Sequence, residues 1–229
     1  MEIQILELIE GARAARGLTV IIDVFRAFTL ECYLFAGGAR AIYPTGSLED
    51  AFAMKAEDPS LLLFGERGGA IVPGFDHGNS PAEAAGLDLT GRTIIHSTSA
   101  GTQGIVNAAG ADEIIAGGLV NAAAIAAYIR RRNPERVSLV GMGNAGVRTA
   151  GEDMLCARYI RSILEGQPLD VQPLADALRE TDGAKFFDPR QTAFPQADFP
   201  LCVDCDRFPF VLRLERDERG RNRMVPVHI

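Results

Sequence analysis

The sequence predicts an α/β protein in which a mostly parallel sheet is covered by helices on both faces. Three observations lead there. Short continuous apolar runs such as Leu18 to Val24 and Leu61 to Phe64 have the make-up of strands buried on both faces. Segments with helical start and stop signals alternate with these runs, as a parallel sheet with crossover helices requires. Polar residues interrupt the chain where the strands end, at Asp23, at Glu66 and at Ser97 to Thr102. In open α/β sheets that edge is where ligands bind.

The elements follow in order. After the Leu18–Val24 strand, Arg26 to Ala36 reads as a helix stopped by Gly37-Gly38, and Arg40 to Tyr43 as a second strand. Ser47, followed by acidic Glu49 and Asp50, predicts an N-cap and a helix to about Glu57. The Leu61–Phe64 strand leads into a long Gly-rich loop, and Ser80-Pro81 opens a short helix with an N-cap and a first-turn proline. Arg92 to His96 is a strand, Thr102 to Ala109 a helix, Glu113 to Ala116 a strand. Asn121 is expected to cap a helix ending near Arg132, followed by a strand at Val137 to Val140 and a helix at Thr149 to Leu164. Phe208 to Leu214 and Met224 to Val227 can pair across Asp217-Glu218-Arg219-Gly220 as a terminal hairpin. With no Pro/Ser-rich linker, charge block or repeat, residues 1–229 read as one continuous α/β unit with a C-terminal hairpin-like tail.

Composition narrows the function. The net charge of −7, with basic residues scattered apart from Arg130, Arg131 and Arg132, argues against a nucleic-acid or membrane surface. The acidic start Met1-Glu2-Ile3-Gln4 is unlike a signal peptide, and no apolar run is long enough to span a bilayer, so a cytoplasmic protein is expected. Cys32, Cys156, Cys202 and Cys205 read as reduced thiols; the lone C-x-x-C of Cys202 and Cys205 lacks the second pair that a structural zinc needs. The expected partner is a small anion, with a homo-oligomer left open.

Three segments carry the chemistry. Ser97-Thr98-Ser99-Ala100-Gly101-Thr102 offers hydroxyls and backbone N–H groups just before a helix, suited to phosphate or sulfonate, and equally to ordinary capping. Asp23 and Arg26 flank a strand-to-helix junction, where the acid can ligate a cation and the arginine can neutralise a phosphoryl oxygen; a salt bridge is the plainer reading. The loop from Gly65-Glu66-Arg67 to Asn79-Ser80-Pro81 is too polar for core. Its Glu66 and Asp76 are hard oxygen ligands suited to Mg²⁺, and its Arg67, Asn79 and Ser80 are donors to an anion. His77 reads as a loop hydrogen-bonding residue. Gly141-Met142-Gly143-Asn144-Ala145-Gly146 matches G-x-G-x-x-G, but no acidic residue ends a following strand as ribose recognition requires. Glu152 and Asp153 after it can add metal ligands or simply be first-turn acids.

These segments resemble the 2-phosphosulfolactate phosphatase family. The matching stretches are Val20-Ile21-Ile22-Asp23-Val24-Phe25-Arg26-Ala27, Gly65-Glu66-Arg67-Gly68-Gly69, Gly74-Phe75-Asp76-His77-Gly78-Asn79-Ser80-Pro81 and Thr98-Ser99-Ala100-Gly101-Thr102. Asn121, Glu152-Asp153 and Asp206-Arg207-Phe208 are similar to family positions as well. The resemblance implies a three-layer α/β/α fold with a mixed sheet, Mg²⁺ dependence, and hydrolysis of 2-phosphosulfolactate to sulfolactate on the route to coenzyme M. The family loop commonly reads Thr-Thr-Asn-Gly-Thr, whereas Ser99 and Ala100 stand here at its second Thr and its Asn. Phe28 stands where a small hydroxyl residue is frequent.

Covalent phosphatase routes fit poorly. Asp23-Val24-Phe25 lacks the second acid of a D-x-D motif, no cysteine is followed by arginine six residues later, and no Arg-His-Gly triplet occurs. Metal-assisted attack by water is the expected mechanism. In it Asp23, Glu66 and Asp76 ligate Mg²⁺ or orient water, Arg26 and the Ser97–Thr102 loop hold the phosphoryl group, and Arg67 and Asn79 face the sulfonate or carboxylate. A phosphatase of another small ester and a non-catalytic phospho-metabolite-binding protein are the alternatives.

Overall fold

Alternate side chains of one buried strand face two different helix layers, and this alternation organises the molecule. A computed structural model describes residues 1–229. In chain order the first half comprises β1 (Glu2–Glu7), α1 (Leu8–Ala14), β2 (Gly17–Ile22), α2 (Ala27–Ala36), β3 (Ala41–Pro44), α3 (Leu48–Glu57), β4 (Leu62–Arg67), β5 (Ala70–Ile71), α4 (Pro81–Ala84) and β6 (Thr93–Ser97). It continues with α5 (Gly101–Asn107), β7 (Ala111–Gly117), α6 (Ala122–Arg132), β8 (Arg136–Gly141), α7 (Gly151–Leu164), α8 (Val171–Ala177), α9 (Asp198–Cys202), β9 (Phe210–Arg216) and β10 (Asn222–His228). On β2, Leu18, Val20 and Ile22 pack with α6 and α7, whereas Ile21 packs in a second core with α1, α2 and α5. A third, smaller core joins α3 to Leu63 and Ile95 on the strands β4 and β6. Helices thus cover both faces of the sheet, giving three α/β/α layers. No helix is long and apolar enough to cross a membrane.

The ten strands run in the order β1-β8-β2-β7-β9-β10-β3-β6-β4-β5. β1, β8, β2 and β7 are mutually parallel neighbours, as are β3, β6 and β4. The expected C-terminal hairpin forms, with Met224 opposite Leu214 and Val227 opposite Val211. It is no appendage, however, because it lies antiparallel between the two parallel groups and joins them. Its contact with β3 is a single registered pair, Met224 with Ile42; Pro226, two residues on, has no N–H to extend that ladder.

Local signals behaved as their chemistry dictates, with two exceptions. Ser47 Oγ accepts from Asp50 N at 3.2 Å and Ser80 Oγ from Glu83 N at 3.3 Å, as N-caps should. Asn121 does not cap α6: its Oδ1 accepts from Gly118 N and its Nδ2 donates to Phe210 O. The cap comes from far along the chain, where Asp206 Oδ1 accepts from Ala123 N at 2.7 Å. The strand β1 was not predicted either, since as an edge strand it is nowhere fully buried and lacks a continuous apolar run.

Met224 is completely buried where the hairpin meets β3. Met224→Ala is expected to cost about 2–5 kcal/mol of unfolding free energy, measurable by urea denaturation.

Candidate active site

A cleft of about 450 Å³ opens where strands β2, β4, β6 and β8 end. β2 and β6 are five inter-strand steps apart in the sheet order, roughly 24 Å if it were flat. Sheet twist and the reach of the loops close that distance. At Gly101 an added Cβ would fall 2.7 Å from Ala27 Cβ and 2.9 Å from Asp23 Oδ2. Only glycine lets the loop after β6 lie against the loop after β2. Gly65 serves similarly, because a Cβ there would meet Ser97 O at 2.1 Å.

Of the residues singled out from the sequence, Asp23, Arg26, Glu66, Asn79, Ser99, Glu152 and Asp153 line this cleft. Glu66, at the end of β4, is buried and clasps the neighbouring loops: its carboxylate accepts from Gly69 N at 2.6 Å, Ser99 N at 2.7 Å and Ser99 Oγ at 3.3 Å. Arg26 is buried as well. Its Nη1 donates to Asp198 Oδ2 at 2.7 Å, its Nη2 to Gly69 O at 3.2 Å, and Phe194 stacks beneath its guanidinium. Asp198, fully buried on α9, also accepts from Ser80 Oγ and Ala82 N.

The other predicted residues act around the cleft without lining it. Arg67 turns back to donate to Ser97 O and Ser97 Oγ. Ser97 Oγ donates to Thr45 O. Thr98 and Thr102 exchange bonds, each backbone N–H donating to the other's hydroxyl. Ser80 caps α4 and bonds Asp198. The Ser97–Thr102 loop therefore has the N–H groups of Thr98, Ser99 and Thr102 engaged within the protein. Asp76 lies elsewhere, its Oδ2 accepting from Leu63 N at 2.8 Å and Lys55 Nζ at 3.1 Å. His77 stacks on Phe64, 4.5 Å between rings, and its carbonyl accepts from Gly65 N. Of the two departures from the family pattern, Ala100 lines the cleft and Phe28 is core.

The second wall comes from the loop after β8 and the segment around residues 181–194. The G-x-G-x-x-G stretch supplies Gly143, Asn144 and Ala145 to the lining. Its Gly143 N–H donates to Asp153 Oδ2 at 2.7 Å, so this turn wraps a carboxylate of its own chain. Asp153 Oδ1 accepts from Val24 N at 2.8 Å, tying the ends of β2 and β8 together. Lys185 also lines the cleft, its ammonium 5.2–5.6 Å from the ring centres of Phe25, Phe186 and Phe194. Sequence reasoning missed Lys185, Asp198 and Arg148, the last also lining the cleft. The available signal was slight: only two of the 23 basic residues are lysine.

Electrostatically the cleft is a set of buried acids. Burial pushes the Asp23 carboxyl up to about 6, opposed by the Ala27 N–H and reinforced by the charge of Glu66. Burial raises Glu152 to about 7 despite the attraction of Lys185, with Asp182 and Asp23 adding repulsion. Burial, then Glu152 and Asp23, hold Asp153 well above the usual carboxylate range. Glu152 Oε2 is buried without a hydrogen-bond partner, and Asp23 bonds within the protein only through Oδ1.

These acids fit a hard divalent cation in donor chemistry. No three acidic, histidine or thiol groups are gathered around one point. A small hard cation does not need them, since Mg²⁺ is commonly held by one or two carboxylates, with water and substrate oxygens completing its shell. The oxygens left without protein partners, on Asp23 and Glu152, are the two that fit.

Two outcomes follow from this geometry. Asp198→Ala strands the buried Arg26 charge and is expected to cost about 3–5 kcal/mol in urea denaturation. Glu152 keeps its proton to about pH 7 when folded but loses it near 4.5 when unfolded. The folded state binds more protons across that window, so its stability falls as pH rises through it. Glu152→Gln is thus expected to melt near wild type at about pH 4.5 and above it at about pH 8 without added metal. Equal offsets at both pH values would refute this.

Comparison with known proteins is consistent along the chain. A family profile described as 2-phosphosulpholactate phosphatase matches residues 3–217. A Bacillus subtilis (strain 168) protein described as "Probable 2-phosphosulfolactate phosphatase" is 33% identical over 210 residues, covering 89% of this chain and 90% of its own. A Carboxydothermus hydrogenoformans protein of the same description is 44% identical over 148 residues, covering 65% of this chain and 60% of its own. With the profile spanning nearly the whole sequence, this chain belongs to the 2-phosphosulpholactate phosphatase family of phosphoric monoester hydrolases.

Proposed function

We propose that the protein is a Mg²⁺-dependent phosphatase that hydrolyses 2-phosphosulfolactate to sulfolactate and phosphate by attack of water. The observation that carries this is the juxtaposition, in one cleft, of Asp23 and Glu152, with oxygens free for a cation, and three cationic side chains suited to an anion, those of Arg26, Arg148 and Lys185. Asp23 and Glu152 would hold the metal, with Glu66 and Asp153 fixing the loops that present them. When bound, the cation would neutralise charge on the phosphoryl oxygens.

The chain's own groups account for the remaining roles. Arg26 has two of its N–H donors on Asp198 and Gly69, and a guanidinium carries five. The rest are available to a phosphoryl oxygen. Lys185 supplies a second positive charge from the opposite wall. Asp23, beside the cation, would orient the attacking water toward phosphorus. As the water oxygen bonds phosphorus and the ester P–O bond breaks, the attacking water gives up one proton to solvent and the leaving oxygen takes one from solvent, departing as the sulfolactate hydroxyl. Asn79 and Ser99 are placed to donate to the substrate's acid groups or phosphoryl oxygens.

Phosphate release from racemic 2-phosphosulfolactate and a panel of small phosphate esters, with Mg²⁺ and then with EDTA, tests this. The expected result is Mg²⁺-dependent release, fastest with phosphosulfolactate. Asp23→Asn is expected to lower kcat roughly 100-fold or more; turnover and metal dependence like wild type would overturn the assignment. A second reading, a phosphatase of another small ester, is favoured by Ala100, which lines the cleft where the family loop carries an amide. Release from other esters only would select it. Binding without any turnover would point to a phospho-metabolite-binding protein.

A further inference from the structure

A line of three polar side chains runs inward from the cleft, and the proposed hydrolysis uses only the outermost, Asn79, directly. Glu31 on α2 and His96 on β6 are both completely buried. Glu31 Oε1 lies 2.8 Å from His96 Nδ1, and His96 Nε2 lies 3.1 Å from Asn79 Oδ1. Asn79 is the outermost member, 6% exposed and lining the cleft. Its only side-chain hydrogen bond within the protein runs through Oδ1, which leaves Nδ2 unengaged. The second oxygen of Glu31 has no partner at all.

The neighbour of Nε2 decides where a ring proton sits. An amide oxygen can only accept, so the 3.1 Å contact of Asn79 Oδ1 with Nε2 puts a proton on that nitrogen. That N–H can donate only to the oxygen of the Asn79 amide.

We infer that His96, held by Glu31, is a positioning residue that locks the Asn79 side chain so that its NH₂ group faces the cleft as a donor to the anionic substrate. An untethered asparagine can turn its amide through 180° and present oxygen, which repels an anion. The His96 N–H removes that choice without itself touching substrate. This deepens the proposed function and rests on it for the identity of the anion, but the tether itself is a property of the protein alone.

The test has two arms that fail separately. Nitrogen-15 NMR of the wild-type protein reads the ring nitrogens of His96, and Nε2 is expected to carry a proton; a bare Nε2 overturns the inference outright. In kinetics, His96→Phe is expected to raise KM roughly tenfold or more with kcat within about threefold, the scale of one lost hydrogen bond to a charged group. Glu31→Gln can still donate to Nδ1 and keep the Nε2 proton, so its KM is expected within roughly threefold of wild type. Folded His96→Phe with wild-type KM would overturn the inference, as would Glu31→Gln as impaired as His96→Phe. If no ester is hydrolysed by the wild type, the phosphatase reading fails instead. The ring-nitrogen measurement then still decides the amide's orientation. Should His96→Phe not fold, the wild-type spectrum decides alone.

Discussion

A single buried carboxylate holds the cleft together. Asp198 receives the Arg26 guanidinium, the Ser80 hydroxyl and the Ala82 N–H, three groups from two well-separated parts of the chain. Neither member of the Arg26–Asp198 pair has more than traces of solvent contact, with side chains 2% and 0% exposed. Two such charges are tolerable only because each is the other's partner and the surrounding donors are met. The pair anchors the loop after β2, the start of α4 and the C-terminal segment to one another. Phe194 under the guanidinium extends the same contact to the outer wall.

From that anchor the electrostatics of the cleft follow. Walls brought this close exclude water from Asp23, Glu152 and Asp153, and burial is the leading cause of the raised pKa of all three. The protein compensates unevenly. Asp153 has N–H partners on both oxygens, whereas Glu152 is left with one oxygen unmatched. Such an arrangement is unfavourable for the folded chain by itself and favourable for a cationic ligand. Strain of this kind concentrates where binding relieves it.

The sheet adds a second constraint. Its two parallel groups never pair directly; the hairpin of β9 and β10 lies between them. Two strands that come after all the others in sequence thus complete the sheet, and the cleft needs both groups in place. Glu66 and Ser99 come from one group, Asp23 and Asp153 from the other.

Much of this was legible in the sequence because its determinants are local. Buried strands announce themselves as short apolar runs, and Ser47 and Ser80 announce helix starts because a cap needs only its own next turn. Strand ends are readable too, and with them the placing of Asp23, Arg26, Glu66, Asn79 and Ser99 near one edge. Tertiary structure decided everything that depends on distant partners. Arg67, Ser97 and Thr102 have the right chemistry for an anion, yet each found a protein partner first. Asp76 is drawn away by Leu63 N and Lys55. Lys185 and Asp198 sit in a stretch without periodicity and acquire meaning only when that stretch folds across the sheet edge. Residue type and spacing determine what a side chain is able to do. Which of its possible partners it meets is settled by packing, because a buried polar group must be satisfied wherever the fold places it.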